Sequence, residues 1–400
     1  MLLPTLSILA AHAIGRPIFS RYYLIPGLNH RRARAALRFV DQLIAFWDWT
    51  PLTKRPIIRR HHDGMRALLA ARSASSTTTR STTLKPNILQ LNPILIPAIN
   101  EKLASLYTVH RLFEQNDKDA YISEHGASIR GVITGGHTGI SNALIERLPA
   151  LEVIAVNGVG TDAVDLAFAR SRGIPVTATF GALTEDVADL AIGLMLAVCR
   201  EICAGNEFVK SGNWQKNPHP GALPLSRRLS GKRVGIVGMG KVGRAIAQRA
   251  SAFNCPIAYT DLRRMEDVAH PFIGDLLSLA RGSDFLVLAA AADKAQGIVN
   301  AAVLDALGRN GYLINVARGK LVVERDLVEA LEGGVIAGAG LDVFVDEPNV
   351  PPELFGMDRV VLQAHRASAT VESRTAMGEM VLASLEQALA GQRPEGSLTT

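Results

Sequence analysis

Cysteine is scarce in this chain of 400 residues, with only Cys199, Cys203 and Cys255. Their spacing matches neither a zinc finger nor a disulfide framework, which excludes covalent staples and a thiolate metal centre and fits a reducing, cytoplasmic compartment. Cys199 and Cys203 fall on one face of an apolar helical run, where they read as small buried hydrophobes. Long apolar runs are missing as well. None reaches the roughly 18 residues that a membrane span requires, and the longest, residues 187–198, is interrupted by Asp189 and reads as a buried helix. Acids are nearly absent from one end. Residues 1–85 hold 14 of the 43 Lys and Arg but only three of the 37 acids, Asp41, Asp48 and Asp63. That stretch is therefore more positive than the whole chain at +6, and the remainder is net acidic. The basic balance is therefore no argument for a nucleic-acid site on the folded body.

What is present divides into an extension and two domains. Residues 1–84 join Arg-rich pieces to the Ser/Thr tract 73–83, a composition that cannot bury a core. This extension reads as disordered, or as a targeting segment, since residues 2–13 weakly resemble a signal-peptide core without a basic stretch before it. Its deletion is expected to leave activity intact. From Lys85, strands at 87–91, 108–112, 129–133, 153–156 and 175–177 alternate with helices at 97–106, 141–148 and 165–172, the pattern of a parallel α/β sheet. The turn Gly135-Gly136-His137-Thr138-Gly139 lies between a strand and a helix, where its main-chain amides can form an anion nest. A helix capped by Thr184, with Glu185 and Asp186 in its first turn, is expected to extend toward Lys210.

Beyond a polar loop at 211–230 comes KRVGIVGMGKVGRA, in which a buried strand runs into Gly238, Gly240 and Gly243 at G-x-G-x-x-G spacing. The first glycine permits a sharp turn, the second lets a pyrophosphate approach the main chain, and the third lets the helix pack on the strand. Lys241 and Val242 begin that helix, whose positive end attracts the anion. A second strand, 256–260, ends on Asp261, an acid placed to bond a ribose diol. Further strands at 285–288, 311–316, 337–341 and 359–362 complete a six-strand doubly wound sheet, with helices at 276–280, 301–307 and 324–333 between them. The fold class is thus α/β with two domains. Residues 184–369 form a Rossmann dinucleotide-binding domain, and 85–183 form a smaller flavodoxin-like substrate domain joined by the C-terminal helix of 370–395.

Arg318, Glu347 and His365 follow late strands on their carboxyl side, where ligands of open α/β sheets bind. With GVGTDAVDL, LTEDVADLAIGL, GIVGMGKVGRA, LINVARGKLV and GAGLDVFVDEP in order, residues 86–395 resemble the D-isomer-specific 2-hydroxyacid dehydrogenases, in their hydroxypyruvate, glyoxylate and hydroxyphenylpyruvate reductase branch. The resemblance implies that Arg318 grips the carboxylate and carbonyl of a 2-oxo acid, and that His365 is the acid/base, oriented and held protonated by Glu347. It also implies that Asp342 holds the nicotinamide carboxamide and that Val316 and Ala317 line the cofactor. Amides near Gly135, Gly136 and His137 would receive the substrate carboxylate. The side chains of His137 and Arg366 read as loop or surface groups, with contact to substrate as the alternative.

The expected partners are a small 2-oxo or 2-hydroxy acid, NAD or NADP, and a second copy in a homodimer; no metal, nucleic acid or membrane is expected. Asp261 favours NAD slightly, because it repels a 2′-phosphate that Arg263 and Arg264 would otherwise attract. Two family prolines are absent. Gln363-Ala364 precedes His365 where proline is usual, which implies a less rigid approach to the histidine, and none occurs in 289–292. The alternative, an NAD(H)-responsive binding protein without turnover, is opposed by the intact Arg318, Glu347 and His365.

Overall fold

The computed structural model describes residues 84–291 and 295–399. The extension, with its disordered and targeting readings, lies outside the described residues except for Leu84.

In the first lobe β1 (Asn87–Gln90), α1 (Pro97–Leu106), β2 (Thr108–Arg111), α2 (Lys118–His125), β3 (Ile129–Thr134), α3 (Asn142–Glu146), β4 (Val153–Val156), α4 (Leu166–Ser171) and β5 (Val176–Ala178) follow in order. The strands form one sheet in the order β2-β1-β3-β4-β5, and every pairing is parallel. A parallel sheet covered on both faces demands apolar side chains in both directions, which is why β4 reads Val-Ile-Ala-Val and is buried throughout. The helix α2 was not legible as a periodic pattern, because it buries only Ile122 and is started by Asp117, whose carboxylate accepts the Ala120 amide.

Three helices lead to the second lobe: α5 (Thr184–Cys199), α6 (Ile202–Lys210) and α7 (Asn213–Lys216). The expected single helix from 184 toward 210 is broken at Glu201, which takes a left-handed conformation with φ of 52°. Helix α5 is buried along one face through Cys199, whereas α6 buries no residue, so the break marks where the chain leaves the core. It also separates the cysteines. Cys199 is buried and Cys203 exposed, contrary to the shared face expected for them. Thr184 is not the cap either: Leu183 holds that position and Thr184 is the first helical residue.

The second lobe runs β6 (Val234–Val237), α8 (Lys241–Ala252), β7 (Ile257–Thr260), α9 (Leu276–Arg281), β8 (Phe285–Leu288), α10 (Ala301–Leu307), β9 (Tyr312–Asn315), α11 (Glu324–Glu332), β10 (Gly338–Leu341) and β11 (Val360–Leu362). Its six parallel strands are ordered β11-β10-β9-β8-β6-β7. Val187, Ala191, Leu194 and Val198 of α5 pack with Ile246 of α8 over the buried strands β6, β8 and β9. The last helix, α12 (Val371–Leu389), returns to the first lobe, where Val381 and Leu385 join the core built on Ile88, Ile133 and Val153.

Ligands of open sheets bind where the strand order reverses. The reversals fall between β1 and β3 in the first sheet and between β6 and β8 in the second. The glycine turns at 135–139 and 238–243 follow β3 and β6. Among the described residues no helix is long and apolar enough to cross a membrane.

Candidate active site

A cavity of about 720 Å³ is lined by residues of both lobes at these strand ends. Arg318, Glu347 and His365 all line it, with Gly135, Gly136 and His137 from the first lobe.

His365 is fixed by its neighbours more than by its own sequence. The residue is left-handed, with φ of 51°. Its amide donates to the Asp342 carbonyl at 2.8 Å, while the next two amides, of Arg366 and Ala367, donate to the two Asp342 carboxylate oxygens at 2.7 and 3.0 Å. Asp342 is only 1% exposed. An unpaired carboxylate in such surroundings costs several kcal/mol, so the paired amides are what make its burial tolerable. Burial pushes its carboxyl above the usual range, while the Arg366 and Ala367 amides pull it back. Three main-chain bonds to one aspartate hold the turn at 365–367, immediately after Gln363-Ala364.

On the side chain, His365 Nδ1 lies 2.8 Å from Glu347 Oε2. The other oxygen, Oε1, accepts the Phe344 amide at 3.0 Å, so both ends of the carboxylate are committed. An ionised carboxylate only accepts, so a hydrogen bond to ionised Glu347 takes its proton from Nδ1 and leaves Nε2 without a hydrogen-bond partner among the described residues. Arg318 is oriented by its Nη1 bond to the Ala317 carbonyl at 2.8 Å and by Asp162, whose Oδ2 is 3.3 Å from Nε. Asn315 secures the same turn through the Arg318 carbonyl at 2.9 Å.

The glycine turn holds both bonded and open amides. Its Gly135 amide donates to Asn92 Oδ1 at 2.8 Å and is therefore not available to a substrate, contrary to the expected role. The Gly136 and His137 amides have no hydrogen-bond acceptor among the described residues and stand open to an anion. The imidazole of His137 meets that of His365 edge to face at 4.5 Å, and its Nε2 is 3.9 Å from Glu347 Oε2. Burial, then the neighbouring His365, hold the His137 pKa below the ordinary imidazole value.

The dinucleotide residues fit a nucleotide cradle. Gly238 has φ of 94°, and a Cβ there would lie 2.7 Å from the Ala290 main chain; at Gly243 one would lie 2.0 Å from the Gly238 carbonyl. No atom lies within 4 Å of a Cβ built on Gly240, which lines the cavity beside Lys241 and Val242, so open space meets the free amides of the first turn of α8. Val316, Ala317 and Asp342 line the same cavity. Asp261 and Arg263 do not. The Asp261 carboxylate accepts the Met239 amide at 2.8 Å and the Leu262 amide at 2.7 Å, which ties the strand end to the glycine turn, and Arg263 is exposed.

Four residues went unassigned by sequence. Asn92 and Asp162 act through contacts 43 and 156 residues away. At Gly160 a Cβ would stand 2.4 Å from Arg318 Nη2, so its lack of a side chain makes room for the guanidinium. Gly160 and Asp162 lie within the quoted motif GVGTDAVDL, which was the available signal. Arg374 of α12 lines the cavity with a buried Nε that has no hydrogen-bond partner, and burial, then Arg366, lower its pKa.

Residues 192–367 match the family model described as D-isomer specific 2-hydroxyacid dehydrogenase, NAD binding domain. The chain is 44% identical over 303 residues to a 2-ketogluconate reductase of Gluconobacter oxydans (strain 621H), across 75% of this chain and 94% of that one. This chain belongs to the D-isomer specific 2-hydroxyacid dehydrogenase family. Within the family it is also 42% identical to glyoxylate/hydroxypyruvate reductase A of Arabidopsis thaliana, over 74% of this chain and 93% of the relative. An NADPH-dependent glyoxylate/hydroxypyruvate reductase of Sinorhizobium meliloti, solved in complex with NADP and malonate, superposes with a TM-score of 0.73 at 38% identity, covering 78% of this chain and 97% of the other. For a member of this family, two parallel α/β lobes around a nucleotide cradle are the expected fold.

Proposed function

We propose that this dehydrogenase reduces a small 2-oxo acid to the D-2-hydroxy acid with a reduced nicotinamide cofactor. The observation that carries the reading is the 2.8 Å bond from His365 Nδ1 to Glu347 Oε2 in the cavity that Arg318 also lines. The substrate carboxylate would be received by the Gly136 and His137 amides and by Arg318, whose planar fork also reaches the carbonyl oxygen. His365 would give a proton from Nε2 to that oxygen as it gains charge, and Glu347 would stabilise the charged ring beforehand. A bound nicotinamide supplies the hydride. In this reading the first lobe with α12 carries substrate, and residues 184–369 carry the cofactor through Gly240, Lys241, Val242, Val316 and Ala317.

Cofactor choice rests on Asp261 against Arg263 and Arg264, and a slight preference for NAD is the reading retained. Replacing Asp261 with Ser should raise the NADPH-to-NADH ratio of kcat/KM several-fold; an unchanged ratio would remove Asp261 from the ribose site. A homodimer is supported by Ile202 and Val209 on α6 and Trp214 on α7, each more than half exposed, a patch that a second copy would cover. Sedimentation at micromolar concentration tests it, and a monomer would refute it. A cytoplasmic location completes this reading.

The relatives named above act on ketogluconate, glyoxylate and hydroxypyruvate, so these three and an aryl pyruvate form the test panel. Oxidation of NADH or NADPH with at least one of them is expected. A folded protein that turns over none would overturn the reading. The intact triad and reductase relatives leave the non-catalytic binding protein without support.

A further inference from the structure

The glycine turn brings a second imidazole to the catalytic pair. His137, Glu347 and His365 each present one donor atom, and the three atoms lie within 4.8 Å of one another. Sequence reading expected no metal, since His137 stands 210 residues from Glu347 and no local spacing announces the group. Two imidazoles and a carboxylate form a donor set that Zn²⁺ accepts, with bonds of about 2.0–2.2 Å and, in open sites, a fourth position free. A tetrahedral ion with such bonds holds its donors roughly 3.4 Å apart. The two measured separations, 2.8 Å from His365 Nδ1 to Glu347 Oε2 and 3.9 Å from His137 Nε2 to Glu347 Oε2, straddle that value. The three donors, all within 4.8 Å of one another, would have to rotate to reach it. The His137 side chain is 64% exposed and is free to make that adjustment.

We propose that His137, Glu347 and His365 form a zinc site that inhibits the enzyme. Binding displaces the Nδ1 proton of the charged His365 ring to solvent and leaves the Nε2 proton in place on a neutral, metal-bound imidazole. The ring is then held by metal at Nδ1 and cannot take up and give back a proton at Nε2, so the acid/base function stops while the fold is unchanged. The free coordination position faces solvent or a substrate oxygen. His137 is the residue that turns a catalytic pair into a three-ligand site. The inference on inhibition rests on the role given to His365 above; the metal site itself does not.

The test uses the full-length protein, without cofactor or substrate, titrated with Zn²⁺ against a chromophoric chelator. Wild type, His137→Gln, Glu347→Gln and Cys203→Ser are compared, the last because Cys203 is an exposed thiol. One zinc per chain is expected to weaken by at least about tenfold in both His137→Gln and Glu347→Gln and to persist in Cys203→Ser. Binding common to all four proteins, including any at His61-His62, is background. Equal affinity in wild type, His137→Gln and Glu347→Gln would overturn the proposal, as would the absence of binding in wild type. A thermal melt of each variant confirms folding. Reductase turnover is followed in parallel, with chelator expected to restore what zinc removes. A chain that binds zinc without turnover refutes the reductase reading alone, and one that turns over but binds no zinc refutes the metal site alone.

Discussion

Two turns meet at the cavity, one from each lobe, and they are held in different ways. The turn at 365–367 is fixed from beneath by Asp342, which accepts three of its main-chain amides. The turn at 135–139 is tied at its edge, by Asn92 to Gly135 and by the Gly139 amide to the Gly135 carbonyl at 2.9 Å, and keeps the Gly136, His137 and Thr138 amides bare. The difference fits the tasks proposed for the two turns. A proton-transfer group would need one orientation and a saturated main chain around it, whereas a carboxylate receiver would need unsatisfied donors.

The largest effect should come from removing what the rigid turn presents. His365→Ala is expected to lower kcat by about 10²–10⁴-fold, the range over which general acid catalysis contributes. Wild-type rates across the oxo-acid panel would dissolve the distinction between the turns. Asp342→Asn probes the support in place of the side chain it positions. A carboxamide has one acceptor oxygen where the carboxylate has two, so either the Arg366 or the Ala367 amide loses its partner. A loss of about 1–3 kcal/mol in chemical denaturation and about 10–100-fold in kcat is expected. Normal kcat with lowered stability would mean that the turn keeps its geometry without the aspartate.

Gly160→Ala separates reception from support. The nearest atoms to the added Cβ are side-chain ends, Arg318 Nη2 at 2.4 Å and Asp162 Oδ2 at 3.1 Å, so the ion pair yields before the fold does. KM should rise about tenfold with little change in unfolding free energy. If stability fell and KM held, the guanidinium would not be the group that gives way.

What was legible in the sequence depended on range. The glycines at 238, 240 and 243 and the apolar strands declare themselves within a few residues, because their causes are local: main-chain freedom and burial on both faces. Arg318, Glu347 and His365 were placed by motif order, and the cavity brings them together. The missed features are non-local. Asp342 acts on residues 24 and 25 positions later, Asn92 on one 43 later, and His137 meets Glu347 only after both lobes have folded. The bonds that hold the turn after Gln363-Ala364 were not legible for the same reason: they come from another strand end. At Glu201 the helix breaks without a glycine or proline to announce it, where burial ceases.

The smallest effect concerns the exposed partner of the two histidines. Burial first, and then His365, hold the His137 pKa below the ordinary imidazole value of about 6.5. A folded state that lowers an imidazole pKa binds fewer protons than the unfolded chain, so its contribution to stability is present above the ordinary value and is lost as pH falls from there through the folded value. The side chain is 64% exposed and water screens it, so the contribution is small. Below neutrality, therefore, His137→Gln should lose Tm less steeply than wild type through that window, and the two proteins should run parallel above it. A His137→Gln protein with the wild-type slope at acid pH would mean that its proton uptake is the same folded and unfolded. The receiving turn would then differ from the catalytic one in its bare amides alone, and not in any electrostatic tension between the two rings.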